Sequence, residues 1–581
     1  MDHEQLKRRA TDWADGDCDA TTAAEVRALI EKSDWKELED RFGASLEFGT
    51  AGLRGTLGGG TNRMNLAVVR RTSAGLARYL KAQVPDVVKR GVVVGRDGRR
   101  MSLEFARETA KVLAAEGIPA HVFVGLSPTP VCAFALSALN AAAAVMVTAS
   151  HNPPEYNGYK VYWGNGAQIV PPHDAGIAAA IDAVGTAKSV ALLDEGTARE
   201  KGLWKDVPQT LRQQYLDAIL ALRPTKKVAD LSLVYTAMHG VGGEWVVEVL
   251  KQAGFAKVTP VAEQQEPDGA FPTVRFPNPE EKGAMDLSTA LAQKLNADVV
   301  LANDPDADRL AVMARDPQSG ALRMLTGNEV GVLLGHYMLT QVPTPSPLVV
   351  TTIVSSVQLK SIAAAKGARF EETLTGFKWI ANRAMELQPQ GVRFVMGYEE
   401  ALGYTVGTVV RDKDGVGAAL VVADMAAWCK ARGTTLLGYL EEVQREHGLF
   451  VASQFNATLP GTSGAAQIKA LMDNFRAKPI SGIGALTIDA ANDYQAQSRT
   501  AKGAVTKLAL PKSNVLAWEL TGGHRVTLRP SGTEPKIKVY FEWRESLAAG
   551  EAMLGARERA ARQLAALEDS FLALARERGL P

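Results

Sequence analysis

Between residues 91 and 150 short apolar runs alternate with helix-like stretches, and this alternation restricts the possible architectures more than any single motif does. Gly91-Val-Val-Val reads as a strand that stops at Gly95-Arg96-Asp97-Gly98-Arg99. Leu103 to Glu116 has helical spacing, His121-Val-Phe-Val is a second strand, another helix follows, and a run of small apolar residues leads to Ser150. Strands joined by helices through short links form a mostly parallel sheet covered by helices, so the fold class is α/β. A chain of 581 residues is too long for one core and implies about four domains of ~150 residues.

Three polar loops close apolar runs, and each has a chemistry. Thr148-Ala149-Ser150-His151-Asn152-Pro153 places a hydroxyl where a buried strand ends, the position at which open α/β sheets bind ligands; a backbone-capping turn would use the same residue types. Asp304-Pro305-Asp306-Ala307-Asp308-Arg309 follows a second strand, and in an extended loop alternate carboxylates point the same way, a set of hard oxygens suited to Mg²⁺. An EF-hand would need Gly and Glu where Arg309 and Arg315 stand. Arg529-Pro530-Ser531-Gly532-Thr533-Glu534-Pro535-Lys536 lies between two strand-like runs and offers hydroxyls, backbone N–H groups and two bracketing cations, which suits a phosphate dianion.

Composition narrows the classes. Lys plus Arg total 65 against 64 Asp plus Glu, so no global basic field is available for nucleic acid and any anion must be held locally. No apolar run reaches the length of a membrane span, and the first residues lack the apolar stretch of a secretory signal, so a cytoplasmic chain is expected. The three cysteines are unclustered, which argues against a zinc site or disulfide frame. No P-loop is present, and Gly240-Val-Gly242 and Gly415-Val-Gly417 lack the third glycine of a dinucleotide turn. Thr22-Ala-Ala-Glu25 reads as a capping box opening a helix that runs through Trp35, and the stretch after residue 545 reads as an amphipathic packing helix.

Taken together and in this order, the three loops resemble those of the α-D-phosphohexomutases. The resemblance extends to Gly49-Thr50-Ala51-Gly52-Leu53-Arg54-Gly55, Asn157-Gly158-Tyr159-Lys160, Thr375-Gly376-Phe377-Lys378 and Gly397-Tyr398-Glu399-Glu400-Ala401-Leu402-Gly403-Tyr404, and covers roughly residues 40 to 545. Phe271-Pro272-Thr273 through Glu281 is similar to the branch that holds bacterial α-phosphoglucomutases with phosphopentomutase-like and glucose-1,6-bisphosphate synthase-like proteins. Ala401 stands where many members have a sugar-binding serine, and Tyr404 near their histidine.

The resemblance implies four domains around a central cleft: three related α/β domains and a smaller α+β C-terminal domain. Their expected bounds are an N-terminal helical extension over 1–40, then 41–220, 221–325, 326–448 and 449–581. It further implies a phosphoglucomutase that interconverts glucose 1-phosphate and glucose 6-phosphate through phosphoserine at Ser150, with glucose 1,6-bisphosphate as intermediate and activator. One Mg²⁺ per chain would be held by Asp304, Asp306, Asp308 and a phosphoserine oxygen. Lys160 is the implied general acid/base, with a pKa lowered by nearby cations, followed by His151 and Arg54. Arg309, Thr375, Gly376, Lys378, Glu399 and Glu400 would contact sugar or phosphate, and Arg529, Ser531, Gly532, Thr533 and Lys536 would hold the distal phosphate. Phosphomannomutase, phosphopentomutase and bisphosphate synthase share these motifs. A metal-dependent phosphatase would need more His and Asp ligands than the eight scattered histidines provide. The expected partners are small phosphosugars, and the expected state is a monomer.

Overall fold

The computed structural model describes residues 2–47, 52–226, 228, 230–317, 319–459, 462–531 and 536–580, the side chains of 462 and 463 excepted. Four sheets follow one another along the chain. In the first, the strands Ala143–Val147, Val92–Arg96, Ala120–Val122 and Trp204–Asp206 run parallel, and Tyr156–Trp163 and Leu53–Thr56 are added antiparallel at one edge. The second orders Lys257–Pro260, Ser232–Thr236 and Val299–Asn303 in parallel, then Leu310–Arg315 and Leu322–Met324 antiparallel. The third has Arg369–Thr373, Pro347–Thr352 and Arg393–Glu399 in parallel and Gly403–Val406 antiparallel.

These three sheets share one design that is hidden at the level of residue identity. In each, a buried parallel strand ends in a polar loop and the chain returns antiparallel beside it: Ala143–Val147 before Ser150, Val299–Asn303 before Asp304, and Arg393–Glu399 before Glu400. The strands before Ser150 and Asp304 are buried throughout, as expected for strands covered on both faces. One continuous apolar core joins the first three units, from Val131 and Met146 through Val300 and Leu334 to Leu440.

The fourth sheet is antiparallel. His524–Pro530 pairs with Lys536–Glu545, so the two strand-like runs around the Arg529–Lys536 loop form a hairpin. The helix Met553–Glu577 lies against that sheet and buries Leu564, Leu567 and Phe571, which makes it a packing element. Phe571 is fully buried, with ring centroids 5.6 Å from Phe475 and 5.5 Å from Trp518. Phe571→Ala is expected to cost about 3–5 kcal/mol, because the ring leaves a cavity that a sheet and helix cannot close; a chemical denaturation series measures it.

At the N-terminus the expected single helix is divided. The helix Ala20–Glu31 is capped by Asp19, whose carboxylate accepts from Thr21 N at 2.8 Å, and it ends before Ser33, which has φ +53°. A second helix, Trp35–Phe42, follows. Thr22 is therefore inside the first turn and its hydroxyl donates to Asp17 at 2.6 Å, while Glu25 accepts from Gly59 N and pairs with Arg41. The capping-box spacing was satisfied by a pair that has other partners. Among the described residues no helix is long and apolar enough to cross a membrane.

Candidate active site

Ser150 sits in the loop that leaves Ala143–Val147, 2 % exposed and with φ +54°. A left-handed backbone at a non-glycine residue costs about 1–3 kcal/mol and persists only where the surroundings impose it. Arg99 does much of that: its guanidinium donates to the carbonyls of Ser150 and Asn152 at 2.6 Å, of Pro153 at 2.8 Å and of Tyr156 at 3.2 Å. Asp97 steadies Arg99 in turn at 3.3 Å, and Ser150 N donates to Thr148 Oγ1 at 2.8 Å. Arg99→Lys removes the fork that reaches four carbonyls at once. Its expected effect is a fall in kcat of about 10- to 100-fold with little change in KM, since misplacement of a reacting atom by ~1 Å has that cost; steady-state kinetics with a matched melting curve check it.

The serine hydroxyl faces the acidic loop directly, donating to Asp304 Oδ2 at 2.9 Å across 154 positions of sequence. Asp304, Asp306 and Asp308 are all buried, and one oxygen from each falls within 4.8 Å of the others. They converge by a different route from the expected extended loop. Pro305 and Asp306 form a turn in which Ala307 N donates to Asp304 O at 2.9 Å and Ala307 takes φ +57°. The turn is buttressed from behind by the Met238-His239-Gly240 loop. Val241 N donates to Pro305 O at 2.8 Å, and a Cβ on Gly240 would stand 2.3 Å from Pro305 Cα. His239 bonds Thr273 Oγ1 at 2.8 Å, within its own unit.

The charge pattern of the triad shows what it lacks. Burial, then the neighbouring carboxylates of Asp306 and Asp308, push Asp304 well above the usual carboxylate range. Burial works against ionised Asp306 and Asp308 as well, but Lys160 holds both below that range, with Lys413 and Arg309 adding to the effect at Asp308. Lys160 Nζ donates to Asp306 Oδ2 at 2.7 Å and Asp308 Oδ2 at 2.9 Å, yet Oδ1 of each aspartate is buried without a hydrogen-bond partner among the described residues. Three clustered carboxylates with two orphaned oxygens are a donor set for a hard divalent cation.

The expectation that Lys160 has a lowered pKa is corrected here. Burial favours the neutral amine, but Asp306 and Asp308 outweigh it and the pKa rises. His151 behaves oppositely: burial, then Arg309 and Arg54, hold its imidazole well below the ordinary value, and Nδ1 lies 3.2 Å from Ser150 Oγ.

The remaining residues separate into groups. Arg54, His151, Arg309, Arg529, Ser531, Lys536 and Lys538 line one cleft of ≈ 560 Å³, so the serine loop, the end of the acidic loop and the fourth sheet's hairpin face a shared space. Arg54 Nη1 donates to Asn152 Oδ1 at 2.9 Å. Gly532 and Thr533 lie outside the described residues. Thr375 and Gly376 form the bend before the helix Phe377–Leu387, and Gly376 N donates to Glu399 Oε1 at 2.7 Å with Gly376 at φ +111°. Burial raises the Glu399 carboxyl above its ordinary value. Glu400 Oε2 accepts from Ser355 Oγ at 2.9 Å, and Glu400 lines a second cavity of ≈ 180 Å³ with Asn328 and Arg525. Lys378 is buried with Nζ 5.6 Å from the Trp379 ring.

Besides Lys538 in the cleft, three residues that touch the serine and acidic loops carry no motif in the sequence. Arg99 was visible only as part of a turn. Thr129, at the start of the helix Thr129–Ala138, donates its hydroxyl to Asp306 Oδ2 at 2.6 Å and its amide to Asp306 O at 2.9 Å. Lys413 stands 3.3 Å from Asp308 Oδ2 and from Asp412 Oδ1. The mixed charges of Arg411-Asp412-Lys413-Asp414 before a Gly-rich helix were the one available signal for it.

The chain is similar to known proteins along most of its length. Models of phosphoglucomutase/phosphomannomutase α/β/α domains I, II and III match residues 45–188, 213–319 and 326–446, and that of the C-terminal domain matches 483–555. A mouse phosphopentomutase is 38% identical over 569 residues, covering 93% of this chain and 90% of its own length. A human glucose 1,6-bisphosphate synthase is 36% identical over 567 residues, again covering 93% and 90%. In fold, the open form of pp63/parafusin, a phosphoglucomutase from Paramecium, superposes with a TM-score of 0.65 at 20% identity, covering 92% of this chain and 96% of that one.

Proposed function

The chain belongs to the phosphoglucomutase/phosphomannomutase family and is an isomerase of the phosphohexomutase superfamily, and we propose that it interconverts α-D-glucose 1-phosphate and glucose 6-phosphate through phosphoserine at Ser150. The carrying observation is Ser150 Oγ placed 2.9 Å from a triad of buried aspartates at the edge of a cation-lined cleft. A resting serine hydroxyl is a poor nucleophile, whereas a phosphoserine there is a stored phosphoryl group.

The residues present fit Mg²⁺: Asp304, Asp306 and Asp308 would hold it, and it would neutralise charge on the transferring group. In the forward half-reaction the 6-hydroxyl oxygen of glucose 1-phosphate attacks phosphorus, the bond to Ser150 Oγ breaks, and glucose 1,6-bisphosphate forms. The hydroxyl loses a proton and Ser150 Oγ gains one. By position His151, with Nδ1 beside Oγ, is the candidate proton acceptor and Lys160 the candidate donor; the downward shift of the imidazole and the upward shift of the amine each weaken the group in that role, so geometry carries the assignment. The bisphosphate then turns over and returns its other phosphate to Ser150, which is why the same compound primes a dephosphorylated chain. Arg54 and Arg309 steady the transferring group. Arg529, Ser531, Gly532, Thr533 and Lys536 hold the distal phosphate without reading the sugar, and Glu399, Glu400, Thr375, Gly376 and Lys378 are assigned to sugar hydroxyls. Arg529→Ala and Lys536→Ala are each expected to raise KM about 10-fold with a smaller effect on kcat, the loss of a charge-assisted hydrogen bond.

A second reading is favoured by the mouse relative, a phosphopentomutase. Assays of glucose, mannose, glucosamine and ribose 1-phosphates, each with catalytic bisphosphate, decide between them. The highest kcat/KM is expected for glucose 1-phosphate; a higher value for ribose 1-phosphate replaces glucose with pentose. Stoichiometric bisphosphate formation from a glycolytic bisphosphate donor would instead make the chain a synthase; the human relative is named a glucose 1,6-bisphosphate synthase.

A further inference from the structure

Away from the central cleft, the helices Gly327–Gln341 and Leu436–His447 pack together and bring two imidazoles to one carboxylate. His336 and His447 are 6% and 7% exposed, with ring centroids 5.2 Å apart. His447 Nε2 lies 3.3 Å from Glu446 Oε1, and His336 Nε2 lies 3.9 Å from Glu446 Oε2. One ligand atom from each of the three residues falls within 4.8 Å of the others. The Nε2 atoms of both histidines are buried and find no hydrogen-bond partner among the described residues.

A core histidine retained for packing normally has both ring nitrogens satisfied. His336 satisfies only Nδ1, at 2.6 Å from Tyr439 OH. The 3.9 Å between His336 Nε2 and Glu446 Oε2 is too long for a hydrogen bond, so the carboxylate leaves that nitrogen unsatisfied. Two imidazole nitrogens without partners among the described residues, both turned toward one carboxylate, form a ligand set.

We propose that His336, His447 and Glu446 bind a divalent transition-metal ion of the Zn²⁺ type, at a site separate from the aspartate triad. Two imidazole nitrogens and one carboxylate oxygen are three of four tetrahedral ligands; the Glu446 side chain is 56% exposed, which leaves water access to the fourth position. Closing to metal–nitrogen bonds of about 2.0 Å needs small ring rotations and movement of an exposed side chain. Tyr439 acts from behind, its hydroxyl oxygen accepting from Nδ1–H so that the Nε2 lone pair faces the ion. Imidazole donors reject Mg²⁺ in favour of Zn²⁺, whereas an all-oxygen triad has the opposite preference, so one chain can hold the two ions at two places. Lys366 opposes binding, with Nζ 3.8 Å from Glu446 Oε1. Bound metal would pin together the helix Gly327–Gln341, which packs on the third sheet, and the helix Leu436–His447, which contacts the second and fourth.

The test is competitive Zn²⁺ titration of the full-length protein against a chromogenic chelator in excess Mg²⁺, with X-ray absorption of the bound ion. One Zn²⁺ per chain with imidazole nitrogens in its first shell is expected. Glu446→Gln, on an exposed side chain and so without risk to folding, should weaken binding by at least about 10-fold, as should His447→Gln, and Tyr439→Phe by about 10-fold through the lost second-shell bond. Lys366→Ala should tighten binding, which a purely structural polar cluster would not predict. No Zn²⁺ retained in excess Mg²⁺, an all-oxygen first shell, or affinity unchanged in Glu446→Gln and His447→Gln would each overturn the proposal.

Discussion

Ser150→Ala is expected to lower mutase turnover on the order of 10⁴-fold or more, because in the proposed mechanism it removes the atom that stores the phosphoryl group. Thr148 stands two positions away, but its hydroxyl accepts from Ser150 N and is committed to shaping the loop. The fold should survive. The lost hydrogen bond runs to Asp304, which burial and its neighbours already drive toward the protonated form, so the stability change should stay within about 1 kcal/mol. Initial rates with glucose 1-phosphate and catalytic bisphosphate, beside a melting curve, separate the two effects. Residual turnover within tenfold of the parent, from a well-folded variant, is incompatible with Ser150 as the carrier.

Asp308→Asn should cost about 10³-fold in kcat, the rate equivalent of several kcal/mol of charge stabilisation at the transferring group. Asp308 is the most heavily compensated of the three: Lys160 and Lys413 both reach Oδ2, and Oδ1 remains orphaned. The amide keeps the shape and removes the charge. Two ammonium groups then share less negative charge, although Lys160 keeps Asp306 and Lys413 keeps Asp412. Chelation of the parent protein should abolish activity and Mg²⁺ restore it fully, whereas Asp308→Asn should recover only in part, at raised Mg²⁺. Full activity in the presence of excess chelator, or a variant as fast as the parent, would remove the metal from the account.

The parts of this site that were legible in the sequence are the local ones. Ser150 and the three aspartates were found because each loop follows its own buried strand within a few residues, so the strand pattern points at the loop. Even there the reason differed: alternate spacing suggested an extended loop, and the carboxylates meet through a turn with Ala307 left-handed. Everything set by distant pairing was hidden. Against burial, the Lys160 pKa is raised by carboxylates 146 and 148 positions away, and composition around residue 160 holds no trace of them. Arg99 acts on carbonyls more than 50 positions away, and carbonyls have no sequence signature. Thr129 and Lys413 reach the acidic loop from other units of the fold. At the N-terminus, Thr22 and Glu25 had the right spacing for a capping box, but Asp19 capped the helix and tertiary partners claimed both.

As proposed, Ser150 carries the phosphate that is transferred. Chain isolated after incubation with glucose 1,6-bisphosphate should show one added phosphate by intact mass, located at Ser150 by peptide mapping. When that phosphate is isotopically labelled and the protein is mixed with a single equivalent of unlabelled glucose 1-phosphate, the label should leave Ser150 and appear in sugar phosphate within one turnover. Label that remains on the protein while glucose 6-phosphate accumulates would contradict the account.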